Sequence, residues 1–195
     1  GQKPLASIAD LCHVDGEMKK EYLDRVMTPC TNNLVNILAS PPTPDLAPEV
    51  DGEGRRERDR NYVAEILDLV QSTYDFVVVD TASNFKEINL LSFDRSDLIL
   101  LVTSPDIPTL HNTAKGLDIL LDRLDYSREK VRLVLNRADS ASGLNVDDIS
   151  KGLNYTISHT IPSDGATAIW AANAGQPFIL RRAKTPIAEA VSQLA

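Results

Sequence analysis

Four apolar runs of strand length punctuate this chain, "LVNIL" at 34–38, "FVVV" at 76–79, "LILLV" at 98–102 and "VRLVL" at 131–135, and stretches of helical period lie between most of them. An apolar run without alternation is the mark of a strand covered on both faces, the usual state inside a parallel sheet. "NYVAEILDLVQSTY" carries Val63, Ile66, Leu67 and Val70 at helical spacing, and "IPTLHNTAKGLDILLDRL" repeats the pattern with Leu110, Ala114, Leu117, Leu120, Leu121 and Leu124. Strand alternating with helix means parallel strands joined by crossovers, so the expected class is α/β with a mostly parallel, doubly wound sheet. A shorter strand is predicted at about Thr156 to Ile161, followed by a helix in "DGATAIWAANAG" that stops at Gly175. A last helix is expected in "TPIAEAVSQLA", with Thr185 as cap and Pro186 in its first turn.

Two stretches break the rhythm. Ser40 to Arg60 holds four prolines, two glycines and dense mixed charge, which predicts an exposed, disordered connector at 40–60. Its "RRERDR" interleaves acids with bases, so solvation explains it as well as a nucleic-acid contact does. At the N-terminus "DGEMKKEYLDRVM" supports a helix, and no strand precedes it.

With 195 residues and 43% hydrophobic content the chain can bury one substantial core, so a single domain over 1–195 is the expectation. The formal charge of −8, from 28 acidic and 20 basic residues, provides no overall pull toward DNA or an anionic membrane. Cys12 and Cys30 are too few for a disulfide framework, and a reducing, cytoplasmic setting suits them. No signal peptide is visible, and no apolar run approaches the roughly 20 residues that span a bilayer.

Asp80 follows directly on "FVVV", at the carboxyl end of a strand, the edge at which open α/β sheets bind ligands. There it either meets a ligand or starts a turn. The loops after Val102 and Leu135 should open on the same edge. "TSPDIPT" sets Asp106 and Thr109 near the start of the next helix. "LNRAD" leaves Asn136, whose amide offers a donor and an acceptor, beside Arg137, whose guanidinium can stack on a flat ring. An Asn-Arg pair also suits an ordinary surface turn. His13, His111 and His159 lack metal spacing, no cysteine pair has the C-x-x-C form, and Ser163 in "IPSDG" lacks a nucleophile elbow. Neither G-x-x-x-x-G-K-[ST] nor G-x-G-x-x-G occurs, which argues against tight triphosphate binding by this chain alone.

Taken in order, "YDFVVVDTAS", "DLILLVTSPDIPTL", "KVRLVLNRAD", "IPSDGATAIWAANAGQPFI" and "TPIAEAVSQLA" resemble the later part of the MinD/ParA family of deviant Walker ATPases, and most of all its CpaE/TadZ pilus-assembly branch. "GQKPLASIADL" is similar to that branch's segment shortly after its second strand. The resemblance implies a P-loop NTPase fold of the MinD/ParA (SIMIBI) type. It implies ATP and magnesium at the carboxyl sheet edge, and a homodimer with ATP as the dimerising ligand. On this resemblance Asp80 takes the Walker B position and holds magnesium through water. Asn136 and Arg137 take the adenine-side position, and Pro162 and Asp164 match the "P-x-D" turn that flanks the base. Ala82, Ser83 and Asn84 depart from the family's loop after the Walker B acid, which puts hydrolysis in doubt.

The family's first strand, phosphate loop and first helix match nothing here, so the natural protein is expected to be longer, with this chain as its C-terminal part and inactive alone. The role implied is placement of a pilus or type IV-like secretion assembly, in the cytoplasm and at a cell pole. A DNA-partitioning ATPase of the ParA kind is the alternative, through Arg181, Arg182 and Lys184 in "ILRRAK". MinD-like membrane attachment needs a basic amphipathic tail, and "EAVSQLA" has none.

Overall fold

The computed structural model describes residues 4–30, 34–43, 46, 50 and 61–194. Most of the connector expected at 40–60 therefore lies outside the described residues. The chain divides into two compact units, residues 2–96 and 97–195.

The first unit is mainly helical. α1 (Ile8–Leu11) opens with a capping box, in which the Ser7 amide donates to Asp10 Oδ2 at 2.7 Å. α2 (Lys20–Val26) is the helix expected near the N-terminus. α3 (Tyr62–Thr73) starts where Asn61 Oδ1 accepts from the Ala64 amide at 3.0 Å. Its Ile66 and Val70 pack with Leu11, Met18, Leu23 and Val26, which realises the helical spacing seen in the sequence. α4 (Glu87–Arg95) is held to α3 by Arg95, whose Nε donates to Asp68 Oδ1 at 2.7 Å and whose carbonyl accepts from Gln71 Nε2 at 2.6 Å.

Two apolar runs behave differently from expectation here. "LVNIL" does supply a strand, β2 (Val35–Ile37), but it pairs antiparallel with β1 (Thr28–Cys30) in a two-stranded ribbon and is exposed along its length. A ribbon has only edge strands, which is why Pro29 is tolerated in it. "FVVV" forms no strand and joins neither sheet among the described residues. Phe76 and Val78 are 92% and 95% exposed. An all-apolar run is buried only when other strands and covering layers meet it, and the described residues bring no partner strand to 76–79.

The second unit carries the parallel sheet, in the order β3 (Ile99–Thr103), β4 (Val131–Asn136), β5 (Ile157–Ile161). Its register pairs Thr103 with Leu135 and Asn136 with Ile161, so the three carboxyl ends lie along one edge. β4, central in this sheet, is its core: Leu133, Val134 and Leu135 are fully buried. Among the described residues β3 is bonded on one side only, and it alternates, with Ile99 and Thr103 buried and Leu100 and Val102 exposed.

α5 (Ile107–Leu117) links β3 to β4 and continues as a π-helical turn, Asp118–Arg123. It buries Thr113, Gly116, Leu117 and Leu120, whereas Ala114, expected on the core face, is exposed. A buried hydroxyl pair, Thr103 Oγ1 to Thr113 Oγ1 at 2.8 Å, locks α5 to β3. α6 (Val146–Leu153) links β4 to β5. α7 (Gly165–Ala174) ends at Gly175, which takes the left-handed backbone, φ 59°, needed to stop a helix there. α8 (Phe178–Arg181) and α9 (Pro186–Leu194) complete the unit. The Nε2–H of His159 donates to the Ala190 carbonyl at 2.6 Å and so ties β5 to α9. No helix among the described residues is long and apolar enough to cross a membrane.

Candidate functional site

In the second unit the structure brings together four of the five residues singled out in the sequence. Parallel neighbours put the end of β4 beside the end of β5, so the 136–139 loop and the 162–164 turn leave the same edge. The Ala138 amide donates to the Ile161 carbonyl at 3.0 Å, the last backbone bond between them. One step further out Asp139 Oδ1 accepts from the Ser163 amide at 2.6 Å.

Asn136 Oδ1 accepts from the Arg137 amide at 3.0 Å, which leaves the Asn136 amino group as the end of that side chain available to a ligand. Arg137 is exposed and sits at φ 54°, in the left-handed region that a residue with a Cβ rarely adopts. The tight turn this makes is closed by the Ser140 amide on the Arg137 carbonyl at 3.0 Å.

Asp164 is the N-cap of α7 and accepts from the Thr167 amide at 2.9 Å. The Thr167 hydroxyl and amide hold its carboxyl below the ordinary value of 3.8, and the nearby Arg182 charge adds to this. Arg182 lies over the ring of Trp170, 4.1 Å from its centre. Of the three cations that could have met DNA phosphates, Arg182 is thus half-buried on an aromatic face, while Arg181 and Lys184 are exposed. After β3, Asp106 caps α5 in the same manner. It accepts from the Ser104 hydroxyl at 2.6 Å and the Thr109 amide at 2.9 Å, and these bonds lower its pKa.

Asp80 belongs to the first unit, where it is exposed at the end of the irregular 74–80 segment. The helix after it starts at Glu87 with Lys86 as N-cap, so Asp80 is not that helix's cap. Its loop is fixed by Asn89, a buried residue of α4 that sequence reasoning missed. Asn89 Nδ2 lies 2.9 Å from each of three acceptors, the carbonyls of Ala82 and Asn84 and the Asn84 side-chain oxygen.

No three His, Cys, Asp or Glu side chains among the described residues cluster closely enough to hold a metal ion. A single exposed carboxylate still suits magnesium, which keeps most of its waters and binds through one or two carboxylates plus substrate phosphates. The Asn136 amino group and the Arg137 guanidinium suit a flat, polar-edged ring. A cleft of about 620 Å³ lies elsewhere, in the first unit, and none of these residues lines it.

No protein-family model matches the sequence, and neither does any curated protein. The similarity is to solved structures. Over 100% of its length this chain matches 77% of a ParA family ATPase from Chlorobium tepidum, with a TM-score of 0.85 and 21% identity. It matches the cell division ATPase MinD of Pyrococcus furiosus over 100% of this chain and 78% of that one, with a TM-score of 0.71 and 18% identity. MinD of Pyrococcus horikoshii, solved in complex with Mg-ADP, matches over 96% and 76%, with a TM-score of 0.66 and 16% identity. The chain has the α/β fold of the MinD/ParA type of P-loop NTPase, as the order of its motifs implies.

Proposed function

We propose that this chain is the nucleotide-base side of a MinD/ParA-like ATPase module, related to the CpaE/TadZ branch, that places a pilus or type IV-like secretion assembly. The observation that carries the reading is the meeting of the Asn136–Arg137 loop with the Pro162–Asp164 turn at one carboxyl sheet edge, in a fold shared with ATPases. That edge is where open α/β sheets bind nucleotides. In this reading the base lies between the Arg137 loop and the Pro162 turn, with the Asn136 amino group donating to its edge. Asp80 orients the waters of a magnesium ion, and ATP acts as a dimerising ligand through its higher affinity for the paired state. The Mg-ADP complex of one structural neighbour is consistent with the ligand class.

Sedimentation of the full-length protein tests the reading. A shift to dimer with ATP and magnesium, absent with magnesium alone and weakened by Asp80→Ala, is the expected result. Unchanged sedimentation together with no detectable ATP binding would overturn it. For the cellular role, cells deleted for the protein should lose correctly placed pili, and normally placed pili would remove the CpaE/TadZ assignment.

A further inference from the structure

We infer that Asp139 is a positioning residue for the nucleobase, an inference that rests on the nucleotide reading of this site. The two strands that carry the proposed base contacts are bonded to each other only as far as the Ala138 amide and the Ile161 carbonyl. Arg137 bends the chain in a left-handed conformation just before that bond, and beyond it Pro162 has no amide hydrogen to donate. The chains would be free to splay where the base has to fit. The Asp139 carboxylate closes the gap. Its Oδ1 receives the amide of Ser163, the residue between Pro162 and Asp164, at 2.6 Å, a short charge-assisted bond. One side chain thereby sets the distance between the loop holding Asn136 and Arg137 and the turn holding Pro162 and Asp164.

Asp139 itself is exposed and packs no core, so its removal should disturb recognition far more than folding. It departs from a generic turn carboxylate in where its bond goes. The partner lies 24 positions along the chain, on the next strand's loop, and not in its own turn. Asparagine keeps a carbonyl oxygen at the same place and should keep the bond.

The test compares ATP and GTP affinities of the full-length protein by calorimetry, with melting temperature as the control for folding. The wild type should prefer one base over the other. Asp139→Ala should reduce that preference about tenfold, the effect of one charge-assisted bond lost, and leave the melting temperature within a few degrees. Asp139→Asn should restore most of the preference. The inference is overturned if the wild type binds both nucleotides equally, if Asp139→Ala keeps the full preference, or if the asparagine variant is as impaired as the alanine one. A wild type that binds neither nucleotide removes the nucleotide reading itself, before any substitution is compared.

Discussion

Asn89 offers the most direct check on how the loop after Asp80 is held. Its amino group has two hydrogens and faces three oxygen acceptors, each at 2.9 Å, so at most two full hydrogen bonds are made and one is shared. At a net 0.5–1.5 kcal/mol per neutral bond, Asn89→Ala should cost about 1–3 kcal/mol. Asn89→Asp nearly preserves shape but turns a carboxylate toward three oxygens, which adds roughly another 1–3 kcal/mol because a buried charge then has no donor. The pH dependence has a definite sign. A carboxyl so placed has its folded pKa raised above the unfolded value near 3.9, so the folded state binds the proton more tightly. The aspartate variant should therefore regain stability as pH falls from 7 toward 4, while the alanine variant should not follow.

Urea unfolding at pH 7 and pH 4.5 measures the totals, and native-state hydrogen exchange gives the local effect. The informative amides are those of Asn84, bonded to the Ala82 carbonyl, and Lys86, bonded to Asn84 Oδ1. Both should lose protection in Asn89→Ala. If the alanine variant is as stable as wild type and both amides stay protected, or if the aspartate variant shows no gain at low pH, the three contacts do not hold this loop.

Leu133 is fully buried in the central strand of the parallel sheet, whereas Leu100 on β3 is 43% exposed. Leu133→Ala should cost about 2–5 kcal/mol in urea unfolding and Leu100→Ala well under half of that, and equal costs would contradict the burial pattern. Trp170 is the one tryptophan of the sequence, so Arg182→Ala should change its intrinsic fluorescence visibly and lower stability by about 0.5–1 kcal/mol; an unchanged spectrum would mean the guanidinium does not stack there. Asp106 and Asp164 have folded pKa values below the ordinary 3.8, so each contributes stability that is present above that value and lost as pH falls through the lowered one. Asparagine at both positions should flatten the acid limb of a stability profile, and an unaltered limb would count against the capping bonds as its source.

The fold class was legible because periodicity and order are local properties. Alternating strand and helix signals sufficed for β3, α5, β4, β5, α7 and α9. What could not be read was the number of neighbours each strand would find. "FVVV", "LILLV" and "VRLVL" all read as apolar strands, yet only the last has every apolar side chain buried, with Arg132 alone exposed, because among the described residues it alone has a bonded strand on each side. An apolar run states what a strand requires of its surroundings, and the described residues meet that requirement in full only for β4. The ribbon strand β1 gave no signal at all, since "TPC" contains a proline and is stabilised by its pairing rather than by its composition. α4 was missed for a related reason. Its buried positions Asn89 and Ser92 are polar, so no apolar stripe marks it.

The candidate site divides along the same line. Asn136 and Arg137 could be named because they stand just beyond a strand end, a position that sequence pattern locates, whereas Pro162 and Asp164 were named through the family resemblance alone. The groups that hold the 162–164 turn in place could not, because Asp139 and Arg182 act on backbone or rings at sequence distances that leave no periodic trace. These holding contacts also make the second unit's edge stiff before any ligand arrives. The 162–164 turn is held by Asp139 from the β4 side, by the Thr167 amide from α7, and by the electrostatic pull between Asp164 and Arg182, whose guanidinium is seated on Trp170. A turn fixed from three directions has little conformational freedom left to lose, so on the nucleotide reading proposed above affinity would be set by the fit of the ring and the charge of the ligand rather than by the ordering of a loop.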